Sequence, residues 1–124
     1  MTARPKISML IVEDNELLRS ALRRNLRRAP ATIRVASAAE EALKLISEEV
    51  PDLVLSDYRM VGSLDGLSLL ERIHAEHPHV RCVLHTGESP HTTLLVSSFP
   101  VLFKPCPLDV IVDLIESVRL ERGE

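Results

Sequence analysis

Aromatic residues are nearly missing from this chain: tryptophan is absent, and Tyr58, Phe99 and Phe103 are the whole set. An interior built without them is aliphatic, and the stacking platforms on which single-stranded nucleic acids lie are excluded. Basic charge is also in deficit. With 15 Lys and Arg against 18 Asp and Glu, the net charge of −3 lacks the positive footprint of a DNA or RNA binder. Cysteine is limited to Cys82 and Cys106, which form neither a CxxC metal pattern nor a disulfide framework, so reduced cytosolic thiols are expected. Long hydrophobic runs are lacking as well. The run from Ile7 to Val12 is too short for a signal-peptide core, and Glu13-Asp14 ends it at once. No other stretch approaches a membrane span. A soluble cytoplasmic protein with no membrane partner is expected.

What is present is an ordinary globular composition, 45% hydrophobic and 27% charged, over 124 residues. That length suits one domain, 1–124, able to remove roughly two-thirds of its unfolded surface from water. Apolar, β-branched runs alternate with stretches of helical period. Ile7 to Val12 suits a strand buried on both faces. Leu17, Leu18, Ala21, Leu22 and Leu26 recur at helical spacing. Thr32 to Ala36 is a second strand, and Ser37 with Glu40 reads as a capping box for a helix lined by Ala39, Ala42, Leu43 and Ile46. Leu53 to Ser56 forms a third strand that ends at Asp57. Glycines 62 and 66 give the following loop its freedom of φ. Leu67, Leu70, Ile73 and His77 mark a third helix, stopped by Pro78. Val80 to His85 is a fourth strand and Val101 to Phe103 a fifth. Pro107 suits the first turn of a last helix lined by Leu108, Ile111, Val112, Ile115 and Val118. Between the fourth and fifth strands the polar stretch Glu88 to Ser98 predicts only a short or irregular helix. Five such alternations predict a parallel sheet with helices on both faces.

Ligands of such sheets bind beyond the C-terminal ends of the strands, where strand order reverses. Those ends carry Glu13 and Asp14, Asp57, Thr86 and Lys104. Three carboxylates in one pocket repel one another unless a cation intervenes. All-oxygen ligands of this kind suit Mg²⁺, which accepts one or two carboxylates plus phosphate oxygens. Lys104 adds a compact positive charge and Thr86 a hydroxyl donor. The set reads as a site for an anion beside a hard metal.

Val12-Glu13-Asp14-Asn15, Leu55-Ser56-Asp57-Tyr58-Arg59-Met60, Asp65-Gly66, Leu84-His85-Thr86-Gly87 and Lys104-Pro105 follow one another in order, each at its own strand end. Together they resemble a bacterial two-component response-regulator receiver domain over nearly the whole chain. The resemblance implies a flavodoxin-like (βα)5 three-layer sandwich with sheet order 2-1-3-4-5. It implies that Asp57 takes a phosphoryl group from a phosphohistidine on a sensor histidine kinase or phosphotransfer protein. Glu13, Asp14, Asp57 and the backbone carbonyl of Arg59 would hold Mg²⁺, directly or through water. Lys104 would pair with Asp57 and then with the phosphoryl group, Thr86 would swing toward it, and the Lys104-Pro105 peptide would be cis. Such a domain is a switch rather than an enzyme, promoting only its own phosphorylation and dephosphorylation. The chemistry agrees, because phosphoryl transfer needs positioning and charge neutralisation more than covalent assistance.

Three positions depart from the family pattern. Val101 stands where Tyr or Phe is usual, three residues before the lysine, with Phe103 on the same strand face as a substitute. The span from Thr86 to Lys104 is short and lacks the usual Gly-Ala. Val61 stands where proline is common, in a loop about one residue longer than usual. The departures keep a rival open, a receiver-fold binding module acting independently of phosphorylation. A Mg²⁺-dependent phosphohydrolase is disfavoured, because Arg59 stands where a second acid would protonate a leaving group.

Other features read more plainly as surface. Arginines 19, 23, 24, 27 and 28 are a solvated helix face, and His74, His77 and His79 lack the partners of a metal site. Cys82 and Cys106 could lie near each other on adjacent strands, with redox sensing a minor reading. No DNA-binding or catalytic output domain fits this length, so output is expected through a partner protein or a missing output domain, with a homodimer also open.

Overall fold

The apolar runs become strands because both of their faces are covered. In the computed structural model, which describes residues 6–60, 62, 64–90 and 97–123, strands and helices alternate along the chain. They are β1 Ile7–Val12, α1 Glu16–Asn25, β2 Ala31–Ala36, α2 Ala39–Glu48 and β3 Leu53–Asp57. Then come α3 Gly66–Glu76, β4 Arg81–Thr86, β5 Val101–Phe103 and α4 Leu108–Arg122. The strands lie in the order β2-β1-β3-β4-β5, all neighbours parallel. This is the expected flavodoxin-like sheet. The short helix expected between β4 and β5 falls on residues 91–96, outside the described residues.

Side chains alternate across each strand, so the sheet divides the core in two. Leu10, Val12, Val54 and Leu84 pack with α2 and α3 through Ala42, Ile46, Leu69, Leu70 and Ile73. Met9, Ile11, Leu55 and Val83 pack with α1 and α4 through Leu22, Leu26, Ile111, Ile115 and Val118. Burial of this aliphatic set is the main force holding the layers together.

Several local expectations need correction. Leu17 is 83% exposed, so the buried stripe of α1 is Leu18, Ala21, Leu22 and Leu26 alone. Ser37 is bonded by Glu41, not Glu40: Glu41 Oε1 accepts from the Ser37 N–H at 2.7 Å and its hydroxyl at 3.0 Å. The helix begins one residue later than a Ser37 cap requires, with Ala38 at the N-cap. Pro107 precedes the last helix instead of entering its first turn, and Leu108 is exposed. Cys82 and Cys106 pack on opposite sides of the sheet. Burial pushes the Cys82 thiol up to about 11, which leaves it protonated and inert.

Only Gly62 of the two loop glycines uses positive φ, at +124°. Gly66 is required for a different reason. A Cβ there would lie 1.7 Å from the backbone oxygen of Asp57, and the Gly66 N–H donates to Tyr58 O at 2.7 Å. The start of α3 is thereby pressed against the end of β3, which fixes the backbone that carries Asp57.

Candidate functional site

The chain leaves β1 toward one edge of the sheet and β3 toward the other, so a crevice opens beyond their C-terminal ends. Glu13 and Asp14 leave β1 there, and Asp57 is the last residue of β3. One ligand atom from each of the three carboxylates lies within 4.8 Å of the other two. Among the described residues this trio is the one cluster with the makings of a metal site, and the histidines at 74, 77 and 79 form none.

Lys104, just past β5, reaches back across the sheet. Its Nζ lies 2.9 Å from Glu13 Oε1 and 3.4 Å from Asp57 Oδ1. Glu13 is 1% exposed, and its other oxygen accepts from the Asn15 N–H at 3.1 Å. Asn15 Oδ1 in turn accepts from the Leu18 N–H at 2.9 Å and caps α1. One ammonium thus serves two of the three carboxylates, Glu13 and Asp57. Burial, together with the charge of Glu13, pushes the Asp57 carboxyl up to about 7 against the pull of Lys104. Such unrelieved negative charge fits a hard divalent cation, whose oxygen-ligand preference the donor set matches.

Thr86 closes β4, fully buried, and its Oγ1 accepts from the Glu88 N–H at 3.0 Å. The Glu88 carboxylate pairs with Arg59 Nε at 2.7 Å, bridging the loops that follow β3 and β4. The Arg59 guanidinium also lies over the Tyr58 ring, 4.5 Å from its centre. The Lys104-Pro105 peptide is cis, as the resemblance implied. Val101 packs into the α2–α3 side of the core, whereas Phe103 stands opposite Thr86 in the β4–β5 register.

Two further residues border the site. His85 is buried beside the site, and burial and Lys104 push its imidazole down to about 4, so it is neutral at pH 7. It lines a cavity of about 400 Å³ with Leu18, Leu22, Lys104, Pro105 and Cys106. Arg19, grouped above with the solvated arginines, is half-buried, and its Nη1 donates to Glu13 O at 2.9 Å. Its place one turn inside α1, after two carboxylates, was the only available signal.

An open, all-parallel α/β sheet with an acidic crevice at its reversal point and a lysine facing it suits an anion bound beside a hard metal. The model of the response regulator receiver domain matches residues 9–116. The chain belongs to that family. It is 33% identical to the DNA-binding transcriptional regulator NtrC of Escherichia coli K12 over 110 residues, covering 86% of this chain and 23% of that protein. It is 28% identical to a putative NtrX-like response regulator of Rickettsia felis, with 90% and 24% covered. The chain therefore spans about a quarter of the length of the curated relatives it matches. Among solved structures, the signal receiver domain of a Pseudomonas fluorescens HD domain-containing protein superposes with a TM-score of 0.82 at 27% identity, covering 95% and 97%. NtrX from Brucella abortus, in complex with ATP, gives 0.81 at 28% identity, with 94% of this chain and 28% of that one. The chain is thus a receiver domain of the two-component response-regulator kind, a family of signal receivers rather than of catalytic enzymes. No helix of the described residues is long and apolar enough to cross a membrane.

Proposed function

We propose that Asp57 is the phosphoacceptor and that Glu13, Asp14, Asp57 and the Arg59 carbonyl hold Mg²⁺ beside it. The observation that carries this reading is the crowding of three carboxylates, whose ligand atoms lie within 4.8 Å of one another and two of which share a single ammonium. When bound, Mg²⁺ would neutralise the incoming phosphate and lower the repulsion that Asp57 meets. In the transfer an Asp57 oxygen forms a bond to phosphorus as the P–N bond of a phosphohistidine breaks. The electron pair leaves with the imidazole, which takes up a proton. Lys104 is placed to exchange Asp57 for a phosphoryl oxygen. Thr86 can give up the Glu88 N–H and donate its hydroxyl to the new dianion, which alters the surface at the end of β4. Hydrolysis by water would reset the switch.

The partner reading follows from α1. Leu17 stands free at its start, and the apolar cavity between Leu18, Leu22, Pro105 and Cys106 opens beside Lys104. A histidine kinase or phosphotransfer protein docking there would bring its phosphohistidine to Asp57. The proposed setting is the cytoplasm, with output through a further domain or a separate protein. Incubation with acetyl phosphate and Mg²⁺ tests the function. One base-labile, acid-stable phosphoryl group per chain is expected, absent from Asp57→Asn. Absence of label in the wild type would mean a binding module that acts without phosphate, and many turnovers would mean a hydrolase.

A further inference from the structure

Within α1, Arg19 alone among the arginines turns back toward the crevice. Its own N–H makes the first helical bond, to Asn15 O at 2.9 Å, so its Cα is fixed to the end of the loop. Side chains on a helix lean toward its N-terminus. The guanidinium of Arg19 accordingly reaches the two residues that precede the helix cap, Nη1 standing 2.9 Å from Glu13 O and 3.5 Å from Asp14 O. Two consecutive carbonyls held on one nitrogen set the tilt of the peptide between them, and with it the direction of both side chains. For Glu13 this is redundant, since Lys104 and the Asn15 N–H hold its carboxylate. Asp14 differs. Among the described residues no hydrogen bond or ion pair engages its carboxylate, so the backbone alone aims it.

We propose that Arg19 is a positioning residue that aims Asp14, and with it the metal-binding face of the β1–α1 loop, through these backbone carbonyls. The proposal rests on the metal reading given above. It has a sign that charge alone does not. A guanidinium close to a cation site repels the cation, so simple electrostatics makes Mg²⁺ bind more tightly once Arg19 is neutralised. Positioning makes it bind more weakly, as happens when outer partners of metal ligands are removed.

The experiment is a direct Mg²⁺ titration of wild type, Arg19→Met and Arg19→Lys, followed by Tyr58 fluorescence, with thermal unfolding in chelator as the control for folding. Arg19→Met is expected to raise the Mg²⁺ dissociation constant about tenfold. Arg19→Lys, which keeps the charge on a shorter side chain, is expected to fold and to fall between the two. Labelling by acetyl phosphate should weaken at low Mg²⁺ and recover at high Mg²⁺ in both variants. Affinity equal to or tighter than wild type in either folded variant overturns the proposal and leaves the metal site standing. Failure of the wild type to bind Mg²⁺ overturns the metal reading, and this proposal with it.

Discussion

The Lys104 ammonium is bonded to Glu13, at 2.9 Å, more closely than to Asp57, at 3.4 Å. A buried glutamate therefore parks the lysine next to Asp57 without committing it there. Replacing Lys104 by Met strands Glu13, 1% exposed, beside two other carboxylates. Removing one partner of a buried pair costs about 3 kcal/mol. We expect that loss in urea unfolding of metal-free Lys104→Met, with most of it recovered on adding Mg²⁺. The labelling rate at saturating Mg²⁺ should fall about 100-fold, the usual scale for loss of a group that stabilises transferring charge. Equal stability of variant and wild type in chelator would contradict this account of Lys104.

The metal-free fold should carry two opposed pH dependences. Asp57, pushed from 3.8 up to about 7, keeps in the folded state a proton that the unfolded chain has released. Its contribution is complete below pH 3.8 and is lost as pH rises toward 7. His85, pushed from 6.5 down to about 4, contributes stability above pH 6.5 that is lost as pH falls toward 4. Each masks the other in the wild type. Asp57→Asn should therefore grow more stable as pH rises through this window, and His85→Gln less stable. Urea midpoints in chelator measure both slopes, and slopes of the same sign would refute the assignment.

Gly66→Ala is expected to be one of the most damaging single methyl additions available. The added carbon would sit 1.7 Å from the Asp57 oxygen and 2.7 Å from its carbonyl carbon, both backbone atoms that cannot rotate away. Overpacking of this kind costs about 3 kcal/mol. Unfolding free energy should fall by that amount, and labelling at Asp57 should fall with it.

The Arg59–Glu88 bridge offers a contrasting case. Arg59 is exposed, and solvent screens such a pair so that it contributes little to stability. Glu88→Gln should leave the unfolding curve nearly unchanged. It should shorten the life of the phosphorylated form by about threefold, because water then reaches the group past an open loop, as solvent exclusion demands. The decay of label after removal of the phosphodonor measures this, and an unchanged half-life would dismiss the bridge as a gate.

Sheet order and crevice were legible because strand-end residues are fixed by chain periodicity: once Ile7 to Val12 is a strand, Glu13 and Asp14 must leave its C-terminal end. The same logic located Asp57, Thr86 and Lys104. Long-range side-chain choices were not legible. Nothing in the spacing told that Lys104 prefers Glu13, that Glu88 finds Arg59, or that Arg19 folds back while Arg23 and Arg24 stay in solvent. Helix borders slipped by a residue where capping signals competed, as at Ser37, Ala38 and Glu41. Leu17 defeated periodicity outright. Its apolar side chain lies on the exposed face of α1, so the helical pattern that found Leu18 and Leu22 carried it along.

The acceptor oxygen is expected to belong to Asp57 and to work only with a divalent cation. Borohydride reduction converts an aspartyl phosphate to homoserine, so peptide sequencing after treatment with acetyl phosphate locates it directly. Homoserine is expected at position 57 when Mg²⁺ is present and is expected to be absent in chelator. Homoserine at position 14, or at 57 with equal yield in chelator, would contradict it.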